Sequence, residues 1–232
     1  MIKADITDID IIERLDKLST QYPAAYSRLE SIHIYQYFYL GRTNDYIDNI
    51  LQEALDQIDV LEESRNFYKI YTDLLESNYG LDHNIVEVGG GRFARLAKHM
   101  AKRQTSGNIT MYDPNLLSTQ TNQPNLLLLK DIFSHNTQLG NTETLVGLLP
   151  CEATDVMIDL ACKNKINFQI ALCDCLIPDF FLGTENEEEA FKRFVIDPIK
   201  DKVKDAGMGN LEVLYLKEYD FENPIIYTKF KK

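Results

Sequence analysis

The sequence predicts an α/β fold: a seven-stranded, mostly parallel sheet that closes with an antiparallel hairpin and follows a helical segment. Three observations lead to this prediction. In the first 80 residues, apolar positions recur at three- and four-residue spacing, as they do in helices. From Asn84 onward, short apolar runs alternate with helical or polar segments, which is typical of strands and helices around a parallel sheet. The last two runs are joined by a short polar link that has no room for a crossover helix.

Two helices are predicted in the N-terminal segment. One has its apolar face between Ile47 and Leu61, with Thr43 as its cap. The next has its apolar side between Phe67 and Leu75, and Gly80 follows its end. We expect residues 1–80 to form a helical cap or lid and residues 81–232 to form a separate α/β domain.

The region between Tyr22 and Tyr46 is dense in tyrosine. These rings either pack in a core or line a pocket with their hydroxyls exposed. In the second case the segment is a lid over the mouth of an active site and selects the substrate.

The α/β domain is predicted to contain seven strands and three helices. The strands are Ile85–Val88, Ile109–Tyr112, Leu126–Leu129, Leu145–Leu149, Phe168–Leu172, Leu211–Leu216 and Ile225–Lys229. The helices lie near Phe93–Arg103, Ala153–Lys163 and Glu187–Ala206, and the polar link of the hairpin is Lys217–Pro224.

Composition indicates a globular, cytoplasmic protein. Of the 232 residues, 44% are hydrophobic and 26% are charged, which is enough to bury a core without disulfides or metals. The N-terminus lacks the apolar stretch of a signal peptide, and no apolar run reaches the roughly 18 residues of a membrane span. Because all four cysteines lie between Cys151 and Cys175, they do not resemble a disulfide framework, and a reducing compartment is expected.

The net charge of −12 disfavours nucleic acid as a partner, because the surface repels polyphosphate. Two small basic groups are the exceptions and are interpreted as solvated surface: Lys98, His99, Lys102 and Arg103, and the terminal Lys229, Lys231 and Lys232. A small-molecule partner is therefore favoured, nucleic acid stays an alternative, no membrane is expected, and a homodimer is left open.

Three acids and a glycine turn follow successive strands. Glu87 precedes the glycines Gly89, Gly90 and Gly91, which allow a ligand to approach the backbone closely before the next helix begins. Asp113 follows the second strand, where a carboxylate binds ribose hydroxyls. Asp131 follows the third strand and is placed to accept from an adenine amine. These positions are carboxyl ends of strands, where open parallel sheets bind ligands.

Glu87-Val-Gly-Gly-Gly91 resembles the first motif of the class I methyltransferase family, in which an acid and Gly-x-Gly end the first strand. The resemblance covers roughly residues 84–230 and implies a Rossmann-like sheet, methyltransferase activity and S-adenosylmethionine as cofactor. It implies that Glu87 and Gly89–Gly91 face the amino-acid part of the cofactor, Asp113 the ribose, and Asp131 with Ile132 the adenine. Pro114 and Leu149 are included among the implied cofactor contacts.

One position departs from the family pattern. Many members carry a further glycine where this chain has Phe93, which predicts a tighter loop. A nicotinamide-dependent enzyme is a less favoured alternative, because Glu87 would repel pyrophosphate and because the chain closes with a hairpin. A catalytically inactive cofactor-binding or assembly module of the same fold is the other alternative.

The catalytic side is less defined. The stretch Val146–Asp159, together with Cys173 and Cys175, resembles a subset of the family that includes some tRNA methyltransferases, although leucines stand where some relatives have a histidine or lysine. Weak catalytic candidates are Cys151, Glu152 and Asp174; the two acids are otherwise a helix-terminal and a surface acid.

The cysteines Cys151, Cys173 and Cys175 are expected to meet at neighbouring strand ends. Three roles are open to them: zinc binding, nucleophilic attack on a substrate, or packing in the core. Zinc is disfavoured because Cys-x-Cys lacks the usual two-residue spacer and no histidine is near in sequence, and packing is favoured. No metal is therefore predicted. The methyl acceptor and the oligomeric state are not defined by these patterns.

Overall fold

The computed structural model describes residues 67–91, 94–116, 118–182, 184, 186–216 and 221–229. The predicted helix between Ile47 and Leu61, the tyrosine-dense segment and Phe93 lie outside these described residues. The described residues from Lys69 onward belong to one compact unit. The predicted division at residue 80 stays a prediction.

Seven strands form the sheet, as predicted. They are β1 Ile85–Val88, β2 Ile109–Tyr112, β3 Leu126–Leu129, β4 Thr144–Leu148, β5 Asn167–Ala171, β6 Leu211–Leu216 and β7 Phe221–Thr228. Four have the predicted bounds, while β4 and β5 are shifted by one residue. Leu149 adopts a left-handed conformation with φ +54°, which ends β4 before it.

The strand order is β3-β2-β1-β4-β5-β7-β6. Strands β1 to β5 pair in parallel, and β7 pairs antiparallel with both β5 and β6, which confirms the predicted hairpin. All four residues of β1 are buried, because helices cover both faces of the sheet. Parallel pairing places the carboxyl ends of β1 to β5 along one edge.

The predicted start of β7 at Ile225 is wrong: the strand begins at Phe221. Pro224 lacks an N–H and therefore argues against a central strand in sequence analysis. Its carbonyl nevertheless accepts from the Leu172 N–H at 2.9 Å, and the β6–β7 ladder has a register irregularity between Leu214 and Leu216. The irregular pairing accommodates the proline.

Five α-helices are found among the described residues. They are α1 Phe67–Tyr79, α2 Arg95–Arg103, α3 Ala153–Asn164, α4 Glu187–Phe191 and α5 Asp197–Asp205. The predicted start of α2 at Phe93 is wrong, because Ala94 has a left-handed backbone (φ 52°, ψ 40°) and the helix begins at Arg95. No helix in the described part of the chain is long and apolar enough to cross a bilayer.

The single helix predicted over Glu187–Ala206 is divided. A π-helical turn, Lys192–Ile196, separates α4 from α5, and Pro198 lies in the first turn of α5. Since proline cannot donate the helical hydrogen bond, the ladder is interrupted one turn before it. The helical content is as predicted, and the interruption is not.

Helix α1 is tied to the middle of the sheet. The buried Tyr71 hydroxyl lies 2.9 Å from the Gly147 carbonyl of β4 and 2.8 Å from the Gln169 carbonyl of β5. The Tyr79 hydroxyl donates to the Phe168 carbonyl at 2.8 Å. Gly80 follows the helix as predicted, and its N–H bonds to the Glu76 carbonyl at 2.8 Å.

Candidate functional site

The glycine turn lies between β1 and α2. Gly89 and Gly91 have φ values of +71° and +72°, which side chains rarely adopt. A Cβ at Gly89 would lie 2.9 Å from the Pro150 Cα, so the turn packs directly against the loop after β4. A Cβ at Gly91 would meet no atom of the described residues within 4 Å, so these residues leave the turn open to a ligand on that side.

Asp113 connects the end of β2 to this turn. Its carboxylate accepts from the Gly91 N–H at 2.9 Å and from the Asn115 N–H at 2.7 Å. The residue is only 7% exposed. Because a carboxylate has about four acceptor positions, the donors of the described residues leave two for a ligand.

Glu87 lies beneath the turn and is fully buried. Among the residues that the structure describes, neither carboxylate oxygen has a hydrogen-bond partner, and Oε1 would lie 2.8 Å from a Cβ at Gly90. Burial, with a smaller contribution from the Asp113 carboxylate, raises the pKa of Glu87 to about 8. The Ala97 N–H partly offsets the rise in pKa without forming a hydrogen bond of normal geometry.

Asp131 lies after β3 and is exposed, as is the neighbouring Ile132 at 67%. Its carboxylate accepts from the Ile132 N–H at 2.8 Å. Burial raises the pKa of Tyr112, and the Asp131 charge raises it further, which places this carboxylate near the end of β2. The ring of Tyr112 packs edge-on against Phe133 at 5.5 Å.

The loop after β4 has a strained backbone. Leu149 and Cys151 have φ values of +54° and +47°, on either side of Pro150. Non-glycine residues in this conformation are costly, and they concentrate at functional sites. The strain has no signal in the sequence, because neither leucine nor cysteine favours a left-handed backbone.

Three cysteines gather beside this loop, as expected. The Sγ atoms of Cys151, Cys173 and Cys175 all lie within 4.8 Å of one another. The expectation that they pack in the core is wrong, because Cys175 is exposed and the other two are half-buried. Burial and the neighbouring thiols raise the pKa of Cys151. We call these three residues the thiol cluster.

Asn223 is a residue of this region that the sequence analysis missed. Its side-chain amide donates to the Leu172 carbonyl at 2.9 Å and to the Asp174 carboxylate. Because the sequence predicts a polar link over Lys217–Pro224, it identifies no hydrogen-bond partner for Asn223. Asn223 holds the loop after β5 against β7.

Solved structures share this fold. Human N-acetylserotonin methyltransferase in complex with S-adenosylmethionine has a TM-score of 0.50 at 10% identity, covering 97% of this chain and 70% of that chain. Aeropyrum pernix fibrillarin with bound S-adenosylmethionine has a TM-score of 0.47 at 16% identity, covering 71% and 76%. Synechocystis magnesium protoporphyrin IX methyltransferase with bound S-adenosylhomocysteine has a TM-score of 0.47 at 10% identity, covering 75% and 86%. No protein-family model and no curated protein matches the sequence.

The antiparallel β7, inserted between β5 and β6, distinguishes the sheet from the dinucleotide-binding order 3-2-1-4-5-6. This chain has the class I methyltransferase fold. Within this fold, the predicted cofactor residues lie along the carboxyl ends of β1 to β4. They are Glu87, Gly89, Gly90, Gly91, Asp113, Pro114, Asp131, Ile132 and Leu149.

The predicted catalytic candidates lie after β4 and β5 of the class I methyltransferase fold. Cys151 belongs to the thiol cluster. Glu152 caps the start of α3 without a side-chain cap hydrogen bond, and it is exposed. Asp174 is exposed and accepts from Asn223. Their catalytic roles stay predictions.

Proposed function

We propose that this chain binds S-adenosylmethionine and transfers its methyl group to an acceptor, with a small molecule favoured over nucleic acid. The human protein that shares the fold is in complex with this cofactor. The acidic net charge of −12 supports the choice of acceptor class. The cytoplasmic location stays a prediction from the sequence.

The observation that carries the proposal is the carboxylate of Glu87, which has no hydrogen-bond partner in the described part of the chain. A buried carboxylate without a hydrogen-bond partner is costly, and its pKa of about 8 keeps it largely protonated at neutral pH. A cationic group bound nearby would stabilise the ionised form and remove this cost. The ammonium group of the methionine part of the cofactor provides such a charge.

The remaining residues fit the rest of the cofactor. The open space beside Gly91 and the spare acceptor positions of Asp113 suit a ligand that carries ribose hydroxyls. The exposed apolar side chains of Ile132 and Leu149 suit an adenine ring. Asp131 is close enough to Tyr112 for its charge to raise the pKa of that side chain. Asp131 and the adjacent Ile132 therefore lie near the end of β2.

When bound, the cofactor supplies an electrophilic methyl group on a sulfonium ion. The residues of this chain bind the cofactor and the acceptor, orient them toward each other and exclude water. Methyl transfer mainly requires this positioning. A general base is not assigned. Glu152 and Asp174 are the carboxylates after β4 and β5, and both are exposed.

Gly91→Ala tests the proposal against a matched control, Gly140→Ala. Both glycines have left-handed backbones and open space around the added Cβ, so each substitution should cost roughly 1–2 kcal/mol of stability. Only Gly91 adjoins the candidate site. We expect Gly91→Ala to weaken S-adenosylhomocysteine binding at least about tenfold in calorimetry, or roughly 1.4 kcal/mol, and Gly140→Ala to leave it unchanged.

Absence of S-adenosylhomocysteine binding to the unsubstituted protein at millimolar ligand would contradict the proposal. Binding that both substitutions weaken equally would contradict the assigned site. A parallel titration with reduced nicotinamide cofactor tests the dinucleotide alternative, for which we expect no binding.

A further inference from the structure

None of the three cysteines of the thiol cluster is among the proposed cofactor contacts. Two strand ends supply the cluster: Cys151 follows β4, and Cys173 and Cys175 follow β5. Their accessibility sets them apart from Cys162, the other cysteine, which is buried in α3. Side chains that merely fill a core would not converge at the solvent-accessible edge of the sheet.

The spacing of the thiols suits a tetrahedral cation. Zinc–sulfur bonds of about 2.3 Å place two ligand sulfurs roughly 3.8 Å apart. The Cys151 and Cys173 Sγ atoms are 3.2 Å apart, and all three pairs lie within 4.8 Å. Each pair would have to move by about 1 Å or less to reach the zinc geometry.

The backbone around the cluster is held in place independently of any metal. Asn223 binds the Leu172 carbonyl at 2.9 Å and the Asp174 carboxylate, on either side of Cys173. The 3-10 turn Asp174–Leu176 then returns Cys175 toward Cys173. The third cysteine, Cys151, has a left-handed backbone in the loop that follows β4.

We propose that the thiol cluster is a binding site for a thiophilic divalent cation, Zn²⁺, with three thiolate ligands and one exchangeable position. Each thiol that ligates the ion releases its proton to solvent, so the three sulfurs enter as thiolates. The exposure of Cys175 gives water access to the fourth position. Sites with three protein ligands leave the fourth position to water or substrate.

The sequence spacing that disfavours zinc does not apply to this arrangement. A Cys-x-Cys pair alone lacks the usual spacer, but the third ligand, Cys151, comes from a different strand end 22 residues earlier than Cys173. The parallel pairing of β4 with β5 brings these segments together. The site is therefore visible only in the folded chain.

Cobalt titration of the reduced, metal-free full-length protein tests the proposal. We expect one Co²⁺ per chain, with thiolate-to-cobalt charge-transfer absorption and the intense visible bands of a tetrahedral site, both displaced by equimolar Zn²⁺. Cys151→Ser, Cys173→Ser and Cys175→Ser should each lower the affinity at least about tenfold. Cys162→Ser, which changes a cysteine outside the cluster, should leave the affinity unchanged.

A titration of the reduced protein without charge-transfer absorption would overturn the proposal, as would cobalt binding that survives all three cluster substitutions. Formation of a Cys151–Cys173 disulfide with no Co²⁺ uptake before oxidation would assign the cluster a redox role instead. Circular dichroism of each variant identifies loss of fold, and the unsubstituted protein decides the outcome if a variant fails to fold. S-adenosylhomocysteine binding is measured separately, so either proposal can fail alone.

Discussion

Glu87 illustrates how one buried side chain gives the glycine turn its chemical character. The turn itself needs only flexible backbone, whereas the carboxylate beneath it is an acid that no donor of the described residues pairs with. Each oxygen of Asp113, by contrast, accepts from one backbone N–H and keeps a second acceptor position. The two acids thus differ in what they need from a ligand.

Glu87→Gln should change the pH dependence of stability. In the folded protein the pKa is about 8, against an ordinary value of 4.5, so the folded state holds the proton that the unfolded chain releases. The free energy of unfolding of the unsubstituted protein should therefore fall by up to a few kcal/mol as pH rises from about 4.5 to about 8. Glutamine does not titrate, so the variant should lose this fall. Urea unfolding at pH 5 and pH 8 measures the difference.

Asp131→Asn is the control for this experiment, because Asp131 is exposed. Its substitution should leave the difference in unfolding free energy between the two pH values close to that of the unsubstituted protein. An identical pH dependence in the Glu87→Gln variant would show that Glu87 is not responsible for it.

Site residues differ in how far sequence predicts them. Glu87, Asp113 and the glycines were predictable because their places at strand ends follow from apolar patterning. The left-handed conformations of Leu149 and Cys151 were not, since tertiary packing imposes them against local preference. The approach of Cys151 to Cys173 was expected from strand order, but the exposure of the cluster depends on how the loops pack.

At the scale of elements, α1 stabilises the junction between β4 and β5. The Tyr71 hydroxyl has a carbonyl of each strand within hydrogen-bond distance, and burial raises the pKa of Tyr71 well above its ordinary value. The phenol is therefore a neutral hydrogen-bond donor at neutral pH. Tyr71 thus contacts β4 and β5, the two strands that lead into the β4 loop and the thiol cluster.

Tyr71→Phe should lower the free energy of unfolding by about 1–2 kcal/mol, because the one hydroxyl hydrogen that two buried carbonyls share is lost while the ring remains. Urea unfolding measures this loss. Tyr227→Phe in β7 is the matched control, because Tyr227 is only half-buried and water can replace its hydroxyl; the change should stay within about 0.5 kcal/mol. Equal losses in the two variants would contradict the role assigned to Tyr71.

Element types followed from the sequence more closely than element ends did. The three apolar residues of β1, together with the glycine turn that follows them, identify a short central strand, and all four of its residues are buried. The ends of β7 and α2 depend on Pro224 and Ala94, where the tertiary structure overrides the local rule. The π-helical turn Lys192–Ile196 arises for a similar reason, because Pro198 interrupts an otherwise regular amphipathic helix.

At the scale of the whole molecule, the strand order brings residues far apart in sequence to one edge of the sheet. Ligand binding at that edge should stabilise the fold, because the unfolded chain has no such site. At a concentration of 100 times the dissociation constant, S-adenosylhomocysteine should add about 2.7 kcal/mol and raise the Tm by roughly 5–10 °C. Differential scanning fluorimetry measures this shift.

Duplex RNA is the comparison ligand for this measurement. It should leave the Tm unchanged at physiological salt, because the net charge of −12 repels it. A rise in Tm with RNA and none with S-adenosylhomocysteine would reverse the proposed order of partners.

The position of β7 constrains the order in which the protein can be made and folded. Residues 169–171 of β5 pair with residues 225–227 near the far end of the chain, so synthesis must pass this segment before the sheet can close. Until then, the backbone N–H and C=O groups along this edge of β5 are unpaired and open to association with other nascent chains. Ribosome-bound chains that stop short of residue 221 should therefore depend on chaperones, and release of the full chain should end that dependence.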